Sequence, residues 1–120
     1  MTLPHRPRTP EITVTEAVER ARSGDAVLLD VRETPEFTAG HAPEAVFLPL
    51  SALAAGADLP AEARGRPVLA LCRSGNRSRQ ATEILNGRGI DTVNVAGGMR
   101  AWEQAGLPVR TAGGGPGQVV

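Results

Sequence analysis

Residues 68–78 read Val68-Leu69-Ala70-Leu71-Cys72-Arg73-Ser74-Gly75-Asn76-Arg77-Ser78. The first four are an apolar run with no polar interruption, the pattern of a short strand covered on both faces, as in a parallel sheet. Over residues 78–85 the spacing turns helical, and Gly87 and Gly89 end it. A buried strand thus turns directly into a helix, and related units lie on either side. Upstream, residues 26–31 (AVLLDV) are a second covered run, closed by Asp30 and Arg32. Ile12 and Val14 give a short strand signal. Thr15 is then read as the N-cap of a helix with Glu16 and Glu19 in its first turns, ending near Gly24. Residues 35–39 read as one or two helical turns stopped by Gly40. Residues 46–50 read as a short strand, with Ser51 capping an alanine-rich helix. Downstream, residues 92–95 alternate as a strand, and Gly97-Gly98 leads into a last helix carrying Met99, Trp102 and Ala105. Strands alternating with helices predict an α/β fold whose parallel sheet has helices on both faces. Such sheets place ligands at the carboxyl ends of their strands.

At 120 residues the chain has the size of one ordinary domain, enough to bury a core without covalent staples. Residues 1–10, with three prolines, read as an extended N-terminal arm, residues 11–110 as the domain, and residues 111–120 (TAGGGPGQVV) as a flexible glycine-rich tail. Thirteen basic and thirteen acidic side chains cancel, which argues against nucleic-acid and acidic-membrane partners. Aromatics are 2% with no Tyr, so base stacking has almost nothing to work with. Every basic residue is Arg, and without Lys neither Schiff-base catalysis nor a P-loop is open. One Cys and two His do not suggest a protein-only zinc cage, and a single Cys excludes an intrachain disulfide. No metal and no cofactor is expected. The start of the chain lacks a secretory h-region and no apolar run approaches a membrane span, so a cytoplasmic protein is the expectation.

The loop Cys72 to Ser78 carries the chemistry. It sets the sole Cys at a strand's carboxyl end beside a helix N-terminus, where unpaired amides make a cup for an anion. Arg73, Arg77 and Arg79 add positive charge, and no acidic residue stands between Cys72 and Thr82. Both effects favour thiolate: a free Cys titrates near ~8.5, and cysteines in such settings fall to roughly 3.5–7.5. Gly75 and Asn76 tolerate the positive φ that a turn wrapped about a centre needs. From the residues alone, two readings of Cys72 stand side by side. It is either a small buried hydrophobe at a strand end or a reactive nucleophile.

CRSGNRS resembles the active-site loop of the rhodanese family, whose small single-domain members carry C-R-x-G-x-R-S. Asp30-Val31-Arg32 with Glu36-Phe37 is similar to that family's D-V-R-x-x-x-E-F, and Gly40-His41-Ala42-Pro43 to its G-H-I-P-G-A turn, followed by Leu48-Pro49-Leu50. Gly97-Gly98-Met99-Arg100-Ala101-Trp102 and Gly106-Leu107-Pro108-Val109 resemble its G-G-x-x-A-W…G-L-P-V ending. Glu44 departs from the pattern, where the family usually has Gly. The resemblance implies a rhodanese-like three-layer fold with a central, mostly parallel five-stranded sheet. It also implies a thiosulfate sulfurtransferase in which Cys72 takes sulfane sulfur from thiosulfate or a related persulfide donor and passes it to cyanide or a thiol. The loop residues Arg73, Ser74, Gly75, Asn76, Arg77 and Ser78 are then the substrate-binding set. Arg73 and Arg77 meet the donor's oxyanion, and the amides cradle the persulfide. His41 is expected to hold its turn, Arg32 to pair with a carboxylate, and Trp102 and Met99 to lie in the core.

Two rivals differ in kind. Cysteine phosphatases and low-molecular-weight arsenate reductases also use a thiolate in an anion cup, but with C-x5-R. Here Arg77 gives C-x4-R, and Ser78 holds the C-x5-R position. The other rival is a non-enzymatic or relay module that passes persulfide sulfur to, or docks on, a partner protein. The expected partners are accordingly a small-molecule sulfur donor and a thiophilic acceptor, or a sulfur-acceptor protein, without nucleic acid or membrane.

Overall fold

The computed structural model describes residues 9–120, so the arm assigned to residues 1–10 lies, but for its last two positions, outside the described residues. Strand β1 (Glu11–Ile12) runs into helix α1 (Val14–Ser23). The N-cap is Thr13 and not Thr15. Thr13 Oγ1 accepts from the Glu16 amide at 3.2 Å while Glu16 Oε1 accepts from the Thr13 amide at 3.4 Å. That reciprocal pair needs the Glu at the third helical position, which fixes the cap three residues before it. Next come β2 (Val27–Asp30), α2 (Thr34–Ala39), β3 (Val46–Phe47), α3 (Leu50–Ala54) and a 3-10 turn (Ala61–Ala63). The strand expected over residues 46–50 stops at Phe47. Pro49, at φ −65° and ψ 146°, is already the N-cap of α3, and its carbonyl accepts from the Ala52 and Leu53 amides at 3.0 and 3.1 Å. Ser51, expected to cap that helix, donates instead to the Glu33 carboxylate at 2.8 Å. The chain closes with β4 (Val68–Leu71), α4 (Asn76–Gly87), β5 (Thr92–Val95) and α5 (Gly98–Gln104).

Five strands pair in the order β1-β5-β4-β2-β3, and every pairing is parallel. Strands β2 and β4, at the middle, are buried at every position. Their side chains alternate between two cores. Val27, Leu29, Val31, Val68, Ala70 and Cys72 face α3, the 3-10 turn and α4, meeting Leu53, Ala63, Ala81 and Leu85. Leu28, Leu69, Leu71 and Val95 face α1 and α5, meeting Val14, Ala17, Val18, Met99 and Trp102. A parallel sheet therefore lies between two helical layers. Trp102 is fully buried and its Nε1 donates to the Pro108 carbonyl at 2.8 Å, so the ring contributes its apolar area without an orphaned polar atom.

The chain leaves β2 toward β3 on one side and β4 toward β5 on the other. Connections that diverge in this way mark the end of an open α/β sheet where ligands bind, and Cys72 directly follows β4 at that end. The glycine-rich tail has a defined course across this end. The Gly117 amide donates to the Val109 carbonyl and the Gln118 amide to the Ala39 carbonyl, both at 2.9 Å, and Val119 packs against the α1–α5 core. Among the described residues no helix is long and apolar enough to cross a membrane.

Candidate active site

Cys72 is 1% exposed, at the point where β4 gives way to α4. Its carbonyl accepts from the Met99 amide at 2.7 Å, and the Arg73 carbonyl accepts from the Arg100 amide at 3.0 Å, so the start of α5 pins the start of the loop. This close approach explains Gly98. Its φ is +56°, and a Cβ there would overlap the Cys72 carbonyl and the Arg73 backbone. Helix α4 begins at Asn76, two residues before the helical spacing is visible in the sequence, with Gly75 at its N-cap in the left-handed region (φ +110°). That turn aims the Gly75 amide at Cys72 Sγ, 3.0 Å away. The Ser78 hydroxyl lies 3.2 Å from the same sulfur.

Burial pushes the Cys72 thiol up. The Ser78 hydroxyl and the amides of Ser78, Gly75 and Ser74 together outweigh it, and the thiol is held below its ordinary value. The sequence also credits the arginines, and here their part is smaller, because Arg77 and Arg79 already face carboxylates and Arg73 is exposed to solvent. Arg77 forms two bonds to Glu36, Nη1–Oε1 at 2.6 Å and Nη2–Oε2 at 2.7 Å. Its hydrogen bond to Glu36 raises the guanidinium further, and the same bond holds the Glu36 carboxyl below its usual range. Arg79 meets Glu11 at 3.4 Å, and exposed Arg73 donates from Nε to the Val120 carbonyl at 3.1 Å. Ser74 and Asn76 are exposed on the loop's outer side.

Around the loop, Arg32 does pair with a carboxylate. Arg32 and Asp30 are fully buried, with Nη2–Oδ2 at 2.7 Å, and Nη2 also donates to the Gly40 carbonyl at 2.7 Å. This ties the end of β2 to the end of α2, whose Glu36 holds Arg77. His41 stacks on Phe37 with centroids 3.8 Å apart and bonds the Phe37 carbonyl through Nδ1 at 2.8 Å, which makes it a brace of its turn. Glu44, the departure from the family pattern, accepts from Arg22 Nε at 3.3 Å, away from the loop. Two residues of this network were not singled out from the sequence. Asn94 Oδ1 lies 2.5 Å from the Ser78 hydroxyl, and Asn94 Nδ2 donates to Glu11 Oε2 at 2.9 Å. The available signal was an Asn in the buried pattern of β5. Among the described residues no group of three or more His, Cys, Asp or Glu is set to hold a metal ion.

A parallel α/β sandwich whose lone cysteine sits in an amide-lined turn after the central strand is the architecture of rhodanese-like domains. The chain belongs to that family: the model for the rhodanese-like domain matches residues 13–105. An uncharacterized protein of Synechocystis is 42% identical over 93 residues, covering 76% of this chain and 51% of its own length. The chain thus spans about half of that curated relative. Among solved structures, a rhodanese-related protein from Thermoplasma volcanium superposes with a TM-score of 0.71 at 29% identity, over 83% of this chain and 96% of the other. A rhodanese-like domain protein from Staphylococcus aureus gives 0.67 at 32% identity, over 78% and 90%.

Proposed function

We propose that the protein is a sulfurtransferase that carries sulfane sulfur on Cys72. The Cys72 thiolate attacks the outer sulfur of thiosulfate. An S–S bond forms to Sγ as the sulfur–sulfur bond of thiosulfate breaks, and sulfite leaves with the electron pair. Cyanide or a thiolate then attacks the outer sulfur of the resulting persulfide and restores the Cys72 thiolate. No net oxidation of the protein occurs, and two easier displacements replace one transfer. The observation that carries this reading is the convergence of the Gly75 amide and the Ser78 hydroxyl on Sγ. A buried sulfur so surrounded is stabilised as an anion, which an inert core cysteine does not need.

The loop from Arg73 to Ser78 is the proposed donor-binding element. Its amides hold the sulfur that stays, while Arg73 and Arg77 meet the sulfonate oxygens that leave, Arg77 by exchanging the Glu36 carboxylate for the donor. A related persulfide can serve as donor and a protein thiol as acceptor by the same two displacements. A thiol that must stay reduced between turnovers suits the cytoplasm.

The experiment is mass spectrometry of the intact chain. Thiosulfate should add the mass of one sulfur atom, and cyanide should remove it as thiocyanate. Cys72→Ser should fold and show neither event. Sulfur transfer retained by that variant, or faster turnover of aryl phosphates than sulfur uptake by the wild type, would refute the reading.

A further inference from the structure

The Ser78 hydroxyl has one proton and two acceptors within reach, Cys72 Sγ at 3.2 Å and Asn94 Oδ1 at 2.5 Å. Glu11 decides which end of the Asn94 side chain faces Ser78. A carboxylate oxygen only accepts, so the Asn94 atom 2.9 Å from Glu11 Oε2 is the NH2 group and the opposite atom is the carbonyl oxygen. We propose that Asn94 and Glu11 are positioning residues for the nucleophile: Glu11 holds the Asn94 amide with its oxygen toward Ser78, and that oxygen competes with Cys72 Sγ for the single hydroxyl proton. This rests on Cys72 being the nucleophile.

The competition changes with the state of the sulfur. With a thiol, S–H donates to Ser78 and Ser78 donates to Asn94, and every group is satisfied. With a thiolate, the proton turns to sulfur and leaves the Ser78 and Asn94 oxygens facing each other with lone pairs only, in a site where both residues are fully buried. With a persulfide, the charge sits on the outer sulfur and the hydroxyl returns to Asn94. Asn94 thereby limits how far the thiolate is stabilised, which keeps it a stronger nucleophile. The other charged groups about the site are Arg73 and Arg77 of the loop, Glu33 at the N-cap of α2 and Glu36 within it, Arg32 after β2, Arg79 of α4 and Arg100 of α5. None of these bonds the Ser78 hydroxyl.

The test is the pH profile of Cys72 exchange with a small neutral aromatic disulfide, comparing wild type with Asn94→Leu, which keeps the branched shape, is somewhat larger and has no acceptor. A tenfold gain in acidity, with nucleophilicity following basicity at a slope of about 0.4–0.5, makes the variant about threefold faster on the acid limb and about threefold slower on the plateau. The two profiles should cross. In a Ser78→Ala background Asn94→Leu should change nothing. Profiles that move in the same direction throughout, or a crossing that persists without Ser78, overturn the proposal. Should Asn94→Leu not fold, Glu11→Leu on the exposed edge strand frees the amide to turn its NH2 group toward Ser78. The same Ser78-dependent crossing is then expected, and a Ser78-independent shift, meaning charge acting through space, overturns it. Because the probe is chemical, a crossing in a protein that takes no sulfur from thiosulfate would refute the sulfurtransferase reading alone. Sulfur uptake without a crossing would refute only the role of Asn94 and Glu11.

Discussion

Replacing Glu36 with Gln removes the charge that holds Arg77. The pair is bidentate, with bonds of 2.6 and 2.7 Å, the arrangement in which a guanidinium and a carboxylate interact best. Buried, such bonds to a charged group contribute about 1.5–3 kcal/mol, but the two side chains remain 34% and 21% exposed. Solvent screening brings the expected loss to about 1 kcal/mol at pH 7, or about 4 °C in Tm for a domain of this size. The pH dependence is more diagnostic. Glu36 is held below its ordinary value of 4.5, chiefly by Arg77 and against the effect of burial. A carboxyl lowered in the folded state gives stability that is fully present above its unfolded value. That stability is lost as pH falls through the folded one. Wild type should therefore exceed Glu36→Gln by a constant margin from pH 7 to about 5. The margin should shrink below 4.5 and vanish once Glu36 is protonated in both states. Urea unfolding followed through Trp102, the sole Trp, measures this across the pH series. A variant as stable as wild type at pH 7 would contradict the argument, as would a margin that survives unchanged in strong acid.

Three further outcomes are expected. Asp30→Leu strands the fully buried Arg32 without its counter-ion, and should cost about 3–5 kcal/mol in urea unfolding; a loss under about 1 kcal/mol would show that the pair is dispensable. Gly98→Ala drives a Cβ into the Cys72 carbonyl and should slow persulfide formation at least about tenfold, whereas Gly24→Ala, also at positive φ but in open space, should cost only about 1–2 kcal/mol and leave sulfur loading intact. Equal loading rates in the two variants would remove α5 from the account of the loop. Arg73→Ala should slow loading from thiosulfate far more than unloading to cyanide, because only the leaving group carries the oxyanion. Single-turnover rates that fall equally would make Arg73 a shaper of the loop and not a reader of the donor.

The sequence by itself determined the order of strands and helices, the all-apolar run that becomes the central strand, and the placement of Cys72 in a strand-to-helix turn. Each depends on neighbours in the chain: burial of residues 68–71 follows from their own side chains, and the turn follows from Gly75, which supplies a φ of +110° without strain. Element boundaries were less legible because single bonds set them. A reciprocal cap put α1 at Thr13, and the start of α3 at the Pro49 N-cap ended β3 early. The second sphere of the site was decided only by tertiary structure. Arg77 meets Glu36 across 41 positions and Asn94 meets Glu11 across 83, distances over which residue type carries no information about contact. It is the parallel register, Glu11 beside Asn94 and Asp30 beside Leu71, that brings these groups to one end of the sheet. Within the CRSGNRS motif, Arg77 is a free cation waiting for an oxyanion. In the fold it already has a carboxylate, because β2 and β4 lie side by side and deliver α2 to the mouth of the loop.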